Sequence, residues 1–361
     1  MRICFILRDL NDCGGIQQAT INLANSLSDS GSNVTVLSLH NERKTPFFGL
    51  RDNVNALHLF DGAVNVRKKF LTIKKRLSLF LKKQHFDIIV VQSVSFCSLI
   101  SKPIYKNTRV IACEHTHFYN GHTFGLHWFG AKVALKYASC IVCLTELDAE
   151  NYQKNNKRRI PILAIGNFLD ETIEDCSYDS NSRTIVSCGS LISVKGFMDI
   201  PKISNIVLRD HPDWRWIIYG DGLEKEEIQK QINIMGLEKN VVLAGYSTNK
   251  REIFGNKSLY VCTSRSEGFG ITLLEAMARK IPCVAYDVKY GPKELIDNGE
   301  NGYLLPAFSI YEMAKTISNL IHDVEKRKQL SDKAYLTYLS YSKETIVEKW
   351  NSLFRLVLES N

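Results

Sequence analysis

Ser264-Arg265-Ser266-Glu267-Gly268-Phe269-Gly270-Ile271-Thr272-Leu273-Leu274-Glu275-Ala276-Met277-Ala278 is the segment on which the reading of this chain turns. It follows a short apolar run at 259–262, passes through a turn with two glycines, and enters a run of strong helix formers. Strand, glycine turn and helix in that order make one βα unit of a parallel sheet. Gly268 and Gly270 let the backbone approach a ligand closely and take conformations closed to other residues. The helix then opens with unpaired N–H groups and the positive end of its dipole, an arrangement suited to a diphosphate. Two carboxylates bracket the turn: Glu267 before it, and Glu275 inside the helix among Leu273, Leu274, Ala276 and Met277. A carboxylate buried among such neighbours needs a partner, and sugar hydroxyls are natural donors to it. Taken alone, the same spacing also fits a solvated helix face beside an ordinary turn.

The same alternation runs through nearly the whole chain. In the first half, 3–7, 34–39, 56–60, 87–91, 109–113 and 140–144 read as strands, with helical patterns at 16–28 and 127–137. A short run at 162–167 closes that half. The pattern restarts with strands at 184–188, 216–219, 241–244, 259–262 and 283–286, and helices near 197–208 and 225–235. Between the halves lies a polar, acidic stretch, the best linker candidate. The expected organisation is an N-terminal α/β domain over 1–169, a linker over 170–183, and a second α/β domain over 184–342. An amphipathic helix over 343–361, apolar at Ile346, Trp350, Leu353, Phe354 and Leu358, follows. At 361 residues the chain is long for a single core, which agrees with two domains.

Composition narrows the class. The chain is 45% apolar and 23% charged, as globular proteins are. It contains no run of eighteen or more apolar residues, and its first residues read as a buried strand rather than a secretory signal. Cys4, Cys113, Cys140, Cys143, Cys188, Cys262 and Cys283 sit in apolar runs where a free thiol packs as a small hydrophobe, pointing to a reducing cytoplasm. Cys140 and Cys143 have zinc-like spacing but no second pair to complete a site. Residues 1–170 carry 22 Lys and Arg against 12 Asp and Glu, whereas 171–361 carry 24 against 26. Much of the excess lies in 66–84, where cations alternate with Phe70, Leu71, Ile73, Leu77, Phe80 and Leu81 at helical spacing. Such a helix either rests on an anionic membrane surface or buries an ordinary apolar stripe. No aromatic-rich nucleic-acid motif accompanies the charge.

With Gly291-Pro292-Lys293-Glu294-Leu295-Ile296 and Asn298-Gly299-Glu300-Asn301-Gly302-Tyr303-Leu304 following the E-G-F-G…E-A-M-A segment in order, the chain resembles the donor-binding region of the family 4 glycosyltransferases. The likeness extends over most of the chain and is dense from about 184 to 306. It implies the GT-B architecture: two Rossmann-like domains with parallel sheets facing a central cleft, the donor on the second and the acceptor mainly on the first. It also implies a last helix that packs back on the first domain. By this resemblance Glu275 holds ribose hydroxyls and Glu267 the donor sugar. Backbone amides around Phe269, Gly270, Ile271 and Thr272 hold the phosphates, and Gly268 belongs to the same donor-binding loop.

Gly189-Ser190-Leu191-Ile192-Ser193-Val194-Lys195-Gly196-Phe197 resembles the family's diphosphate loop, and Lys195 is its cation, a point charge beside a leaving group whose negative charge grows. The family usually has Arg where this chain has Ser190, and a serine supplies no bidentate cationic contact. Arg265, two residues before Glu267, is the candidate to compensate. Gly220, in a Gly-x-Gly turn, and Tyr246, after the strand at 241–244, resemble the family's base-side loops. Gly14 and Gly15 resemble its double-glycine loop, and the NAD-type G-x-G-x-x-G fingerprint is absent. In Glu114-His115-Thr116-His117, His115 takes the place of the family's cleft histidine, with His117 the nearby alternative.

The expected function is therefore retaining transfer of a sugar from a nucleotide diphosphate, UDP on family grounds, to a growing, lipid-linked bacterial surface glycan. The expected catalytic residues are His115, Lys195 and Glu267. Neither a metal nor another cofactor is expected, since Lys195 and the loop amides take the cation's role and no Asp-x-Asp lies in a suitable loop. The segment from Tyr286 resembles members that build surface polysaccharides, lipopolysaccharide or teichoic-acid glycosides. The expected place is the cytoplasm, peripheral to the inner face of the membrane through 66–84, with no nucleic-acid partner. Two alternatives stay open: a non-catalytic carbohydrate- or membrane-binding relative, to which Ser190 points, and a nucleotide-sugar 2-epimerase of the same fold.

Overall fold

A computed structural model describes residues 1–42, 47–119, 125–170 and 178–359. Half of the linker expected over 170–183, residues 171–177, lies outside the described residues. The chain forms two compact units, one built from 1–170 with 343–361 and the other from 171–342.

Unit 1 follows from apolar runs too short for helices alternating with helical periodicities. In order it contains β1 (Arg2–Leu7), α1 (Gly15–Asp29), β2 (Asn33–Ser38), β3 (Asn55–His58), α2 (Phe70–Gln84), β4 (Ile88–Val91), α3 (Lys102–Asn107), β5 (Arg109–Glu114), α4 (Leu126–Tyr137), β6 (Cys140–Cys143), α5 (Glu146–Gln153) and β7 (Ile162–Ala164). The strands form one parallel sheet in the order β3-β2-β1-β4-β5-β6-β7. The central strands β4 and β6 are buried throughout, as expected of a sheet covered on both faces. On α2, Ile73, Leu77 and Leu81 stack at four-residue spacing into the core, so the basic segment does bury an ordinary stripe. Its helix starts only at Phe70, and Leu71 and Leu79 remain 78% and 62% exposed among the lysines. Helix α4 lies against a 3₁₀ turn at Val94–Leu99. Gly130 makes that contact possible, because a Cβ there would meet the Val94 carbonyl oxygen at 2.1 Å.

Unit 2 contains β8 (Thr184–Cys188), α6 (Ile200–Asp210), β9 (Arg215–Tyr219), α7 (Lys225–Ile234), β10 (Val241–Gly245), α8 (Lys250–Phe254), β11 (Leu259–Cys262), α9 (Ile271–Ala278), β12 (Cys283–Asp287), α10 (Pro292–Leu295), β13 (Gly302–Pro306), α11 (Ile310–His322) and α12 (Val324–Ser340). Its parallel sheet runs β10-β9-β8-β11-β12-β13. Strand β13 has no counterpart in the sequence reading: five residues framed by Gly302 and Pro306 look like part of a turn. The helix expected from 197 opens as a 3₁₀ turn at Phe197–Asp199, and α6 proper begins beside Pro201. The final helix, α13 (Lys343–Glu359), belongs to unit 1, packs on α1 and buries Ile346, Trp350, Leu353, Phe354 and Val357; Leu358, expected on that face, is exposed.

In each sheet the chain winds outward in one direction and then returns to wind in the other. The order reverses between β1 and β4 in unit 1 and between β8 and β11 in unit 2. Loops leaving the carboxyl ends of the two strands at such a reversal diverge and open a crevice, where ligands of open α/β sheets bind.

Candidate active site

The loops after β8 and β11 carry Lys195 and Glu267, so the reversal in unit 2 brings together residues 72 positions apart. Lys195 Nζ lies 2.5 Å from Glu267 Oε1. The Ser264 hydroxyl donates to the same oxygen at 2.6 Å. The Thr263 hydroxyl donates to the Lys195 carbonyl at 3.2 Å, and the Arg265 amide to the Val194 carbonyl at 2.8 Å, tying the two loops at the backbone. The Glu267 carboxylate is thus aimed by one cation and one hydroxyl.

Beyond it, Gly270 caps α9 with φ of 94° and ψ of 52°, a left-handed conformation costly to any residue with a Cβ. The cap turns the chain so that Ile271 and Thr272 occupy the first helical turn, where amides lack an intrahelical acceptor. The Tyr260 hydroxyl holds the Thr272 hydroxyl at 2.8 Å and fixes that turn to the sheet. Phe269 is buried and packs edge-on against Tyr341, with ring centroids 5.3 Å apart. One turn further, Glu275 is 1% exposed among apolar neighbours, and its Oε1 accepts from the Lys250 ammonium group at the start of α8.

Other expected donor residues lie at the same carboxyl edge. Gly220 and Tyr246 follow β9 and β10, the Gly220 amide donates to the Gly245 carbonyl at 2.8 Å, and Tyr246 is largely exposed. Ser190 is exposed directly after β8. Arg265 does not stand free to replace the missing arginine. Its guanidinium meets both Asp199 carboxylate oxygens at 3.2 Å and lies over the Phe308 ring, while the Tyr286 hydroxyl also donates to Asp199.

Three expected site residues belong to unit 1. Gly14 and Gly15 open α1 after β1. His115 follows β5, and its Nε2 lies 2.5 Å from Gln92 Oε1, beyond β4. Burial pushes the His115 imidazole down to about 4, so the ring is neutral at pH 7. With the amide oxygen accepting from Nε2, Nδ1 is the acceptor nitrogen.

Beside it, buried Glu114 accepts from His127 at 2.7 Å, from the Tyr152 hydroxyl at 2.8 Å and from both the amide and hydroxyl of Thr116. Burial alone would raise this carboxyl; the bonds and charge of His127, with the Thr116 and Tyr152 hydroxyls, hold it below its ordinary range. His127 is raised in turn, its burial outweighed by Glu114 and Asp148.

Lys250, Ser264, Asp199, Gln92 and the Glu114–His127 pair were not legible in sequence. All but Ser264, which lies three positions before Glu267, meet their partners through longer-range contact, and Lys250 stands 25 positions from Glu275 in what reads as an ordinary helix start. Asn249 does cap that helix, accepting from the amides of Arg251 and Glu252. Among the described residues no group of three or more His, Cys, Asp or Glu side chains is placed to hold a metal ion.

This architecture is the GT-B fold of glycosyltransferases. The chain superposes on Staphylococcus aureus TarM, solved with fondaparinux, α-GlcNAc-glycerol and UDP, with a TM-score of 0.81 over 98% of this chain and 99% of that one, at 17% identity. Residues 13–172 match Glycosyltransferase Family 4, and residues 170–337 match Glycosyl transferases group 1. A Haemophilus influenzae protein described as an uncharacterized glycosyltransferase is 28% identical, covering 98% of this chain and 99% of its own length. The poly(ribitol-phosphate) alpha-N-acetylglucosaminyltransferase of Staphylococcus aureus is also 28% identical, over 84% of this chain but 56% of that longer protein. The chain belongs to glycosyltransferase family 4.

Proposed function

We propose that the chain transfers a sugar, with retention at the anomeric carbon, from a UDP-sugar held by unit 2 to a lipid-linked surface glycan received by unit 1. The observation that carries this reading is the junction of Lys195, Glu267 and the start of α9 at the strand-order reversal. It sets a cation and first-turn amides where a diphosphate would sit, beside a carboxylate suited to sugar hydroxyls. Glu275 then takes the ribose hydroxyls, exchanging part of its bond to Lys250 for theirs. UDP as the nucleotide is supported by its presence in the TarM complex, and a surface glycan by the polymer named for the Staphylococcus aureus relative.

In the reaction, the bond between the anomeric carbon and the β-phosphate oxygen breaks, and the electron pair leaves with UDP. The acceptor hydroxyl oxygen bonds to the same face of that carbon, and its proton passes to the departing phosphate. Lys195 and the α9 amides stabilise the charge as it grows. Ser190 brings no charge and both Asp199 oxygens hold Arg265, so this load falls on Lys195, which shares its charge between Glu267 and the phosphate. Neutral His115 contributes a hydrogen bond to the sugar or phosphate rather than a charge. Leu71 and Leu79, exposed among the α2 lysines, support a peripheral contact with anionic membrane, and no helix among the described residues is long and apolar enough to cross one.

The test is turnover of UDP-sugars by the wild type and by Lys195→Met, read as UDP release, with the product anomer assigned by NMR. The substitution is expected to lower turnover about 100-fold or more while changing nucleotide affinity far less. Equal turnover in the two proteins, or an inverted product, would overturn the proposal.

A further inference from the structure

Helix α4 presents a face whose charge the rest of unit 1 does not balance. From residue 88 to residue 145 the sequence contains one acidic residue, Glu114, and that carboxylate is buried and engaged by His127, Thr116 and Tyr152. Around α4 stand Lys74, Lys102, Lys132, Lys136, Lys157 and Arg158, and among the described residues none of them is paired with a carboxylate. Lys132 and Lys136 are four residues apart on one helix, a spacing at which like charges repel. Lys74 is held below its ordinary range by partial burial and then by the charge of Lys102. Among the described residues no carboxylate pairs with these cations to offset the cost of gathering them.

The cations stand over apolar and aromatic surface. Lys132 Nζ lies 3.7 Å from the centre of the Trp128 ring, and Lys102 and Lys136 approach the Tyr137 ring at 5.9 and 5.4 Å. On one side of α4 a groove of ≈ 860 Å³ is floored by Phe118, Trp128, Ala131 and Leu135 and rimmed by Lys132, Lys136, Lys157 and Arg158. The Arg158 guanidinium is fixed there by bonds to the carbonyls of Lys136 and Ala138. On the other side a groove of ≈ 430 Å³ shares Trp128, Lys132 and Lys136 and adds Lys74, Lys102 and Tyr137. Phe129, 48% exposed, lines this smaller groove.

We propose that this face of unit 1 seats an amphiphile with a phosphate or diphosphate head and an aliphatic tail, the cations taking the head and the larger groove the tail. Charge complementarity selects the head, since clustered ammonium groups and a fixed guanidinium match phosphate oxygens. The floor selects the tail: a soluble polyanionic glycan would need side-chain amides and carboxylates for its hydroxyls, and among the described residues Asn155 is the sole amide side chain lining the larger groove. The assignment rests on the reading that unit 1 receives a lipid-linked acceptor, and gives the anionic, aliphatic end of that acceptor a place.

The test is calorimetric titration of the full chain with farnesyl diphosphate, inorganic diphosphate and phosphatidylglycerol vesicles, repeated on Lys132→Met/Lys136→Met and, on the far rim, Lys157→Met. Methionine keeps the apolar stem and removes the charge. Farnesyl diphosphate is expected to bind the wild type well ahead of inorganic diphosphate, and the double variant to weaken it about tenfold or more, with vesicle binding, to which the α2 cations contribute, falling far less. Three results would overturn the proposal: inorganic diphosphate binding as tightly as farnesyl diphosphate, vesicle binding lost in the variants while farnesyl diphosphate still binds, or no binding of farnesyl diphosphate at all. UDP titrated into the same samples separates the two readings, because loss of donor binding with farnesyl diphosphate still bound counts against the donor site alone.

Discussion

Asp148 shows how burial at the carboxyl end of the first sheet sets charge. Its Oδ1 accepts from the Phe118 amide at 2.8 Å, and desolvation pushes the carboxyl up to about 6. A carboxyl raised on folding binds its proton more tightly in the native state, so this residue's contribution to stability falls as pH rises from its ordinary value through about 6. Asp148→Asn keeps the acceptor for Phe118 and removes the ionisation. The variant is expected to lose less stability than wild type between pH 4 and pH 7, the gap growing to about 3 kcal/mol or less, as denaturant midpoints across that range would read. Parallel curves for the two proteins would assign the shift elsewhere. At this scale sequence offers single candidates rather than pairs. Lys195, Glu267 and Glu275 stand out through local motifs, whereas Lys250 and Asp199 reach Glu275 and Arg265 only once strands have paired.

The elements divide according to how local their causes are. Helix α2 was legible in part: of the six apolar residues read at helical spacing, Ile73, Leu77 and Leu81 repeat at one interval and are buried, whereas Leu71 is exposed. Strand β13 was not legible, since it depends on pairing with β12 in a segment framed by Gly302 and Pro306. The 3₁₀ opening was not separated in sequence from the helix that starts beside Pro201. The cap of α9 combines both, with a glycine visible in sequence and a φ of 94° visible only in the fold. Gly270→Ala forces a Cβ into that conformation, within 3.1 Å of the Leu273 side chain. It is expected to cost about 1–2 kcal/mol of stability by denaturant titration and to weaken UDP binding by turning the first-turn amides. Unchanged affinity in a destabilised protein would remove the α9 amides from the phosphate site.

For the molecule as a whole, the alternation of strands and helices was enough to establish two parallel α/β sheets, because buried parallel strands write themselves as uninterrupted apolar runs. Strand order was not written there: β1 between β2 and β4, and β8 between β9 and β11, come from packing. Yet that order is what gathers Lys195 and Glu267. The lopsided charge of the sequence, 22 cations against 12 anions in residues 1–170, resolves into two surfaces, α2 and the α4 grooves. The donor site in unit 2 is the claim on which the functional reading depends, and calorimetry of UDP and a panel of UDP-, GDP- and ADP-sugars against wild type and Glu275→Gln tests it most directly. One UDP-sugar should bind wild type at micromolar concentration and Glu275→Gln about tenfold or more weakly, since a charge-assisted bond to the ribose is lost. Binding of UDP that ignores the substitution, or no binding of any nucleotide sugar to the wild type, would remove the donor from this site.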